Sequence, residues 1–165
     1  MDITYQPIGV IHSPFTDLKN MPIQPASRHS APGTVEIYPQ YLVGLQDLDS
    51  FSHIILIYHL HRVTRTDLIV TPFLDCQPRG VFATRAPTRP NPIGVSIVRL
   101  QRIEGTTLYL DSIDILDGTP LLDIKPYVPD FDQPEPPVNI GWLKNAPGRV
   151  RSARSDERFT GKTRD

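Results

Sequence analysis

The chain has 165 residues, a net charge of −1 and 39% hydrophobic residues, a composition typical of a globular protein. Its length predicts one domain with a single core. The lone cysteine, Cys76, excludes an internal disulfide and is typical of a reducing cytoplasm. No apolar stretch approaches the roughly 20 residues that span a bilayer, and the first residues lack a signal-peptide pattern. We therefore expect a soluble, cytoplasmic protein that is not bound to membranes.

Positive charge is concentrated toward the C-terminus. From Lys144 to Asp165, seven Lys and Arg residues face three acidic residues, which is a local charge of +4. We expect residues 1–135 to form the folded domain and residues 136–165 to form an extended basic tail. Such a tail could bind phosphates or could be a solvated terminus, and both interpretations stay open.

Strand patterns dominate the chain. In chain order, the predicted strands are Ile3–Ile11, Val35–Tyr38, Ile54–Tyr58, Gly80–Ala83, Ile93–Arg102 and Thr107–Ile115, with a last strand after Pro120. The continuous apolar run Ile54–Tyr58 predicts a strand covered on both faces, and the turn at Ile103–Thr106 predicts a hairpin. Only Pro39–Leu48 has the spacing of a helix. Many short strands with little helix predict a mainly β, single-domain barrel with short helical segments.

A stiff corner rich in proline, Arg85–Gly94, precedes the hairpin. Residues before proline are disfavoured in helical conformation, so this corner predicts an extended, rigid entry into the next strand. Arg89 and Asn91 could serve only that architecture, or they could project toward a ligand.

A second corner, Asp117–Pro120, leads into a segment with an unusual set of polar residues. If that segment is extended, Asp123, Lys125 and Tyr127 share one face, and Leu122 and Ile124 share the other. An acid, a base and a phenol in line beside a rigid corner indicate a candidate site. The alternative is that Asp123 and Lys125 form a structural ion pair.

Several chemistries lack their sequence signatures. No G-x-S-x-G motif, P-loop or glycine-rich strand-to-helix turn is present. His53, His59 and His61 would share a strand face, but nothing completes a tetrahedral ligand set, since Cys76 stands alone. We expect no metal site.

Five blocks, in this order, carry a resemblance to a known family. They are Ile8-Gly-Val-Ile-His-Ser-Pro14, Gly44-Leu-Gln-Asp-Leu-Asp-Ser-Phe-Ser-His53, Gly80-Val-Phe-Ala-Thr-Arg85, Arg89-Pro-Asn-Pro-Ile-Gly94, and Asp117-Gly-Thr-Pro120 with Asp123-Ile-Lys-Pro-Tyr127. Over roughly residues 3–131 the chain resembles the TrmO family, also called TsaA-like or YaeB-like. The resemblance implies a TsaA-like β-barrel at residues 1–135, usually dimeric, that uses S-adenosylmethionine. Bacterial members methylate N6 of threonylcarbamoyladenosine (t6A) at position 37 of tRNA, beside the anticodon.

The resemblance also implies where the cofactor binds. The implied cofactor residues are Gln24, Pro25, Ala26, Leu60, His61, Arg62, Arg85, Leu121, Leu122, Asp123, Ile124 and Lys125. Arg85 could bind a carboxylate with two parallel hydrogen bonds. One departure stands out, because Ile23 occupies the place of an arginine in the family's Pro-Arg-Gln-Pro sequence. The cation lost there would have to come from Arg28 or from the tail.

Three residues are the candidates for catalysis. Asp123 or Tyr127 could accept the proton released from the methylated nitrogen, and Lys125 could hold a carboxylate of the substrate. Bacterial relatives often have a further C-terminal domain, and we expect the basic tail to replace it in binding tRNA. Two alternatives remain, a non-catalytic S-adenosylmethionine sensor or accessory module and a plain RNA-binding barrel.

Overall fold

The computed structural model describes residues 2–19, 21–23, 30–145 and 154–159. The strands are β1 (Gly9–His12), β2 (Ala31–Ile37), β3 (His53–His59), β4 (Ile69–Val70), β5 (Arg79–Gly80), β6 (Ile93–Glu104), β7 (Thr107–Ile113) and β8 (Thr119–Pro126). Six of them form a closed antiparallel barrel in the order β1, β2, β7, β6, β3, β8. This confirms the predicted mainly β barrel, although only the end of the predicted strand Ile3–Ile11 is paired.

Apolar side chains that alternate along the strands fill the barrel. The buried core residues are Ile11, Val35, Ile37, Ile54, Leu56, Tyr58, Val98, Leu100, Leu108, Leu110, Ile113, Ile115 and Leu121. Full burial of a large aliphatic side chain contributes about 1.5–3 kcal/mol, so this set is the main source of stability. The predicted hairpin is confirmed as β6 and β7, and its turn contains Gly105 at φ +58, which glycine adopts without strain.

The apolar run in β3 is buried on one face only. Its inward residues are Ile54, Leu56 and Tyr58. Ile55 and Ile57 are partly exposed on the outer face, opposite Ile97 and Val95 of β6, which are 44% and 53% exposed. The predicted cover on both faces is therefore wrong for the single chain. We call Ile55, Ile57, Ile93, Val95 and Ile97 the outer strip.

Short 3-10 helices replace the predicted helix at Pro39–Leu48. They span Pro39–Leu45 and Leu48–Ser50, and between them Asp47 adopts φ 65, which does not continue a right-handed helix. Four side chains have the helical spacing on which that prediction rested. Tyr41, Leu45 and Leu48 pack on the barrel core, whereas Leu42 is 45% exposed. A short α-helix, α1 (Pro129–Asp132), follows β8. No helix among the described residues is long and apolar enough to cross a membrane.

A β-bulge interrupts β8 at Leu122. In the pairing with β3, Leu121 lies opposite Tyr58 and Asp123 lies opposite the preceding residue, so Leu122 has no partner. A bulge adds one residue to one strand and shifts the side-chain alternation. As a result Leu121 and Ile124, three positions apart, both pack against the core.

Residues 60–92 leave the barrel between β3 and β6 and form what we call the side lobe. It contains β4 and β5, which pair with each other, and a 3-10 turn at Val81–Ala83. The predicted strand Gly80–Ala83 is therefore mostly turn. Val70, Val81 and Ala86 form a small buried cluster that is separate from the barrel core.

Candidate functional site

Three polar side chains are joined by hydrogen bonds at the end of the barrel where β3 finishes, and the charge of a fourth acts on two of them. The hydroxyl oxygens of Tyr58 and Ser96 are 3.0 Å apart, and Ser96 Oγ donates a 2.7 Å hydrogen bond to Asp114 Oδ1. The charge of Arg85, in the side lobe, acts on both Tyr58 and Asp114. We call these four residues the polar cluster. It joins β3, β6, the end of β7 and the side lobe.

Burial controls the protonation of the polar cluster. It raises the pKa of Asp114 to about 6, against the opposing effects of the hydrogen bond from Ser96 and the charge of Arg85. Burial, and then the negative charge of Asp114, also raises the pKa of Tyr58, so its hydroxyl stays protonated at neutral pH and can donate to Ser96. Because perturbed pKa values concentrate at functional sites, this end of the barrel is a candidate site.

The stiff corner before β6 seats that strand against the end of β3. The Leu60 N–H group donates a 2.7 Å hydrogen bond to the carbonyl oxygen of Pro92. Gly94 lies opposite Tyr58, and a Cβ at this position would overlap the Tyr58 ring. Glycine therefore lets the ring lie across β6, which holds Tyr58 in place for its hydrogen bond to Ser96.

Arg89 stabilises the turn that carries Arg85. Its Nη1 donates to three backbone carbonyl oxygens, those of Val81 at 3.1 Å, Thr84 at 2.8 Å and Ala86 at 3.4 Å. Trp142 Nε1 donates a 2.9 Å hydrogen bond to a fourth carbonyl of the same turn, that of Ala83. These contacts favour the architectural interpretation of Arg89 over a ligand contact.

Leu60, His61 and Arg62 continue directly from β3 at the same end of the barrel. Leu60 packs against the barrel core. Burial, then the charges of Arg62 and His59, lowers the pKa of His61. His61 is therefore neutral at neutral pH and does not repel a cationic group bound beside it.

Asp123 and Lys125 form an ion pair on the outer face of β8. The Lys125 Nζ to Asp123 Oδ2 distance is 2.8 Å, with the side chains 59% and 44% exposed. The other carboxylate oxygen of Asp123 accepts a 2.9 Å hydrogen bond from the Ile124 N–H group. The hydrogen bond to Asp123 raises the pKa of Lys125, so the amine stays charged. Asp123 and Lys125 share a face as predicted, and the ion pair predicted as the alternative to a catalytic role is confirmed. Tyr127, predicted for the same face, follows the end of β8, and Leu122 is the unpaired residue of the bulge.

Tyr127 lies at the opposite end of β3 from the polar cluster. Its N–H group donates to the His53 carbonyl oxygen at 3.1 Å, and the two rings meet edge to face with centroids 6.4 Å apart. His53 precedes Tyr58 by five residues, roughly 17 Å along a strand. Asp123, by contrast, lies opposite Ile57, next to Tyr58. Along the β3–β8 pairing, Asp123 is therefore one position from Tyr58, with its side chain on the outer face, whereas Tyr127 lies at the far end of β3.

A cavity of about 300 Å³ lies between the 3-10 helix Pro39–Leu45 and the barrel. Ile8, Ile37, Asp123 and Ile124 contribute to its wall on the barrel side. The predicted residues of β8 therefore border two features. Asp123 and Ile124 line this cavity, and Leu121 lies opposite Tyr58 of the polar cluster.

The first predicted cofactor segment, Gln24, Pro25 and Ala26, lies outside the described residues, as does Arg28. Of the histidines considered as metal ligands, His53 has its Nδ1 atom 2.9 Å from Ser52 Oγ. Across residues 2–19, 21–23, 30–145 and 154–159, no group of His, Cys, Asp or Glu is arranged to hold a metal ion.

Sequence reasoning missed three members of the polar cluster, Tyr58, Ser96 and Asp114. Asp114 did carry a signal, because it lies between Ile113 and Ile115, which are both buried, and a carboxylate among core positions requires a polar partner. Ser96 carried a weaker signal as a hydroxyl at an inward position of an apolar strand.

The fold and the site together define a class, a closed antiparallel β-barrel of one domain with a hydrogen-bonded polar cluster at one end. The sequence model of the tRNA-methyltransferase O N-terminal domain matches residues 10–133. The chain therefore belongs to the family of that domain.

Named relatives are similar over most of this chain. A probable S-adenosyl-L-methionine-binding protein of Pyrococcus abyssi is 54% identical over 157 residues, which is 95% of this chain and 85% of the relative. The tRNA (adenine(37)-N6)-methyltransferase of Mus musculus is 36% identical over 137 residues, which is 79% of this chain and 32% of that protein.

A solved structure shares the fold. The crystal structure of TrmO from Pseudomonas aeruginosa superposes with a TM-score of 0.71 at 39% identity, covering 86% of this chain and 63% of that one. This agreement confirms the barrel. The chain spans less than two thirds of the length of the solved TrmO and about a third of the mouse enzyme.

Proposed function

We propose that this chain binds S-adenosyl-L-methionine at the barrel end that holds the polar cluster and methylates N6 of an adenosine in tRNA. The proposed acceptor is t6A at position 37, which would place the protein in the cytoplasm. The observation that carries the proposal is the hydrogen-bonded pair of Tyr58 and Ser96 at this end of the barrel, with Leu121 paired opposite Tyr58 and the charge of Arg85 acting on it. Membership of the family over residues 10–133 supports it, as do relatives named as S-adenosyl-L-methionine-binding proteins and as a tRNA (adenine(37)-N6)-methyltransferase.

The residues at this end fit the chemistry of the cofactor. Arg85 offers a planar guanidinium group that can bind a carboxylate with two hydrogen bonds. His61 is neutral because its pKa is lowered, so it does not oppose a sulfonium cation. Leu60 and Leu121 supply apolar surface. When bound, S-adenosyl-L-methionine supplies an electrophilic methyl group, and much of the rate would come from holding the acceptor nitrogen in line with it.

The proton of the acceptor nitrogen needs a base. As the nitrogen–carbon bond forms and the sulfur–carbon bond breaks, N6 loses one proton, and we propose that Asp123 accepts it. In the free protein both carboxylate oxygens of Asp123 are engaged, one by Lys125 and one by the Ile124 N–H group. The threonyl carboxylate of t6A would draw Lys125 away. That exchange frees one oxygen of Asp123 to receive the proton.

The test uses methyl-labelled S-adenosyl-L-methionine and tRNA that either carries or lacks the threonylcarbamoyl group. We expect label only in the modified tRNA. Asp123→Asn should lower kcat by about 100-fold or more, the usual contribution of a general base, and leave cofactor binding intact. Lys125→Gln should mainly raise the KM for modified tRNA. No label in any tRNA, with cofactor binding measured in the same sample, would contradict the enzyme and support the non-catalytic sensor or accessory module.

Tyr127→Phe is the matched comparison for Asp123→Asn. Full activity would remove Tyr127 from the candidate bases. A loss equal to that of Asp123→Asn would instead assign the proton to Tyr127, reached from a second subunit, since Tyr127 is distant from the polar cluster of its own chain.

We also propose that the chain forms a homodimer through the outer strip. This apolar strip lies beside the ion pair of β8, since Ile57 is opposite Asp123 and Ile55 is opposite Lys125. Contiguous exposed apolar surface is typical of an interface. Ile97→Glu should convert the dimer to a monomer in sedimentation equilibrium. Val43→Glu, at a side chain 80% exposed elsewhere, should not. A monomeric parent protein would contradict the proposal.

A further inference from the structure

Part of the stretch predicted as an extended tail is docked on the protein. Arg154–Phe159 runs between the N-terminal residues that precede the predicted cofactor segment and the side lobe. We call these six residues the C-terminal clasp. It lies beyond the range 10–133 that the family match covers.

One end of the clasp is tied to the N-terminal segment through Ser155. The backbone N–H group of Ser155 donates to the Met21 carbonyl oxygen at 2.9 Å. The Met21 N–H group donates back to Ser155 Oγ at 2.8 Å, and that hydroxyl donates to the Leu18 carbonyl oxygen at 2.6 Å. Arg154 and Pro22 form an antiparallel bridge. The chain is thus fixed two residues before Gln24, the first predicted cofactor residue.

The other end of the clasp is tied to the side lobe through Arg158. Its Nη1 donates to the carbonyl oxygens of Thr71 at 3.2 Å and Pro72 at 2.6 Å, and its guanidinium also pairs with Asp156 at 2.8 Å. Arg65 Nη2 in turn donates a 2.9 Å hydrogen bond to the Arg158 carbonyl oxygen. The Arg158 guanidinium is therefore occupied within the protein, which argues against phosphate binding as its role.

Phe159 completes the small buried cluster of the side lobe. It packs against the cluster of Val70, Val81 and Ala86 and meets the Phe73 ring edge to face with centroids 5.0 Å apart. Three buried residues are a very small core, so one further aromatic side chain is a large share of its apolar contact. Ala86 follows Arg85 directly, and the position of Arg85 therefore depends on this packing.

We propose that the C-terminal clasp is a positioning element for the cofactor site, with Ser155, Arg158 and Phe159 as its positioning residues. It joins two segments distant in sequence, the one that leads to Gln24 and the one that carries Arg85, and holds both before the cofactor arrives. A ligand that had to order both segments itself would lose affinity to that ordering. This inference rests on the proposed function at the same site.

The test compares two shortened chains with the full chain. Removal of residues 154–165 should raise the Kd for S-adenosylhomocysteine, measured by calorimetry, by about tenfold or more. Removal of residues 162–165 alone, which keeps the clasp, should leave the Kd unchanged. The barrel should keep its unfolding midpoint in both. An equal Kd for all three chains would overturn the clasp, whereas no binding by the full chain would overturn the proposed cofactor site as well.

Point variants at Phe159 test the clasp even if the shortened chain fails to fold. Phe159→Ala should raise the Kd about threefold or more, and Phe159→Tyr should restore it, because the ring that packs on the lobe is kept. Phe131→Ala, at an aromatic side chain 84% exposed, is the matched control and should bind like the parent.

Steady-state kinetics separates positioning from RNA binding. The positioning role predicts that Phe159→Ala raises the KM for S-adenosyl-L-methionine while the KM for tRNA and kcat at saturating cofactor stay within about twofold. A rise in the KM for tRNA alone would overturn the proposal. It would show instead that the clasp binds RNA, the role predicted for the basic tail.

Discussion

The barrel and the side lobe are built in different ways. A core cluster of thirteen buried residues and a closed ring of strand pairs hold the barrel. The lobe has a buried apolar cluster of only three residues and two strands of two residues each. The lobe depends instead on hydrogen bonds that the side-chain N–H groups of Arg89, Trp142 and Arg158 donate to its backbone carbonyls. Substitutions in the barrel should therefore change global stability, and substitutions in the lobe should change the geometry of the site.

The largest effect is expected at Gly94, inside the barrel. Gly94→Ala would place a methyl group into the buried Tyr58 ring, and we expect the free energy of unfolding in urea to fall by about 3 kcal/mol. The control is Gly80→Ala in the lobe, where a Cβ meets nothing within 4 Å. It should be neutral or stabilise by up to about 1 kcal/mol. Similar losses at both positions would contradict the difference between the two regions.

An intermediate effect is expected at Asp114, where the barrel meets the lobe. Because its folded pKa of about 6 lies above the ordinary 3.8, the unfolded chain loses this proton first as the pH rises. The contribution of Asp114 to stability is therefore full below about pH 4 and is lost by about pH 6.

Asp114→Asn isolates that pH dependence. Asparagine keeps an acceptor for Ser96 but cannot ionise. The free energy of unfolding of the variant should therefore rise relative to that of the parent protein between pH 4 and pH 7, by on the order of 2 kcal/mol. Denaturant titrations at several pH values measure the difference, in which the titration of other carboxylates cancels. If the difference in unfolding free energy between variant and parent does not change with pH, folding does not raise the pKa of Asp114.

The smallest change in stability, but a clear change in binding, is expected at Arg89 in the lobe. Arg89→Met keeps the apolar stem and removes the donor to three carbonyls of the turn that carries Arg85. We expect about 1 kcal/mol or less in barrel unfolding and about tenfold weaker binding of S-adenosyl-L-methionine. Arg99→Met, at an exposed arginine of β6, should change neither. If Arg89→Met lowers only the stability, the lobe does not control the site.

The sequence predicted features that depend on local patterns and missed those that depend on the folded geometry. Alternation predicted the barrel strands and the hairpin because the two-residue period of a strand is a local property. Spacing at Pro39–Leu48 predicted the packing of Tyr41, Leu45 and Leu48 but was wrong for Leu42. It did not predict the 3-10 geometry, and Asp47 interrupts the helix. On β8 the shared face of Asp123 and Lys125 was predictable, whereas the contact of Leu121 with the core required knowledge of the bulge.

The amino-acid sequence alone was enough to predict the family, the mainly β barrel and the rigid corner before β6. It also gave the residue types that could bind a carboxylate, tolerate a sulfonium and accept a proton. The folded structure was needed to show that Asp114 joins Tyr58 and Ser96, that Arg89 donates to the turn around Arg85, and that residues 154–159 dock beside Met21. Ser155 and Met21 are 134 positions apart. A local pattern of hydrophobicity or charge holds no information about such pairs, because they form only when the barrel brings distant segments together.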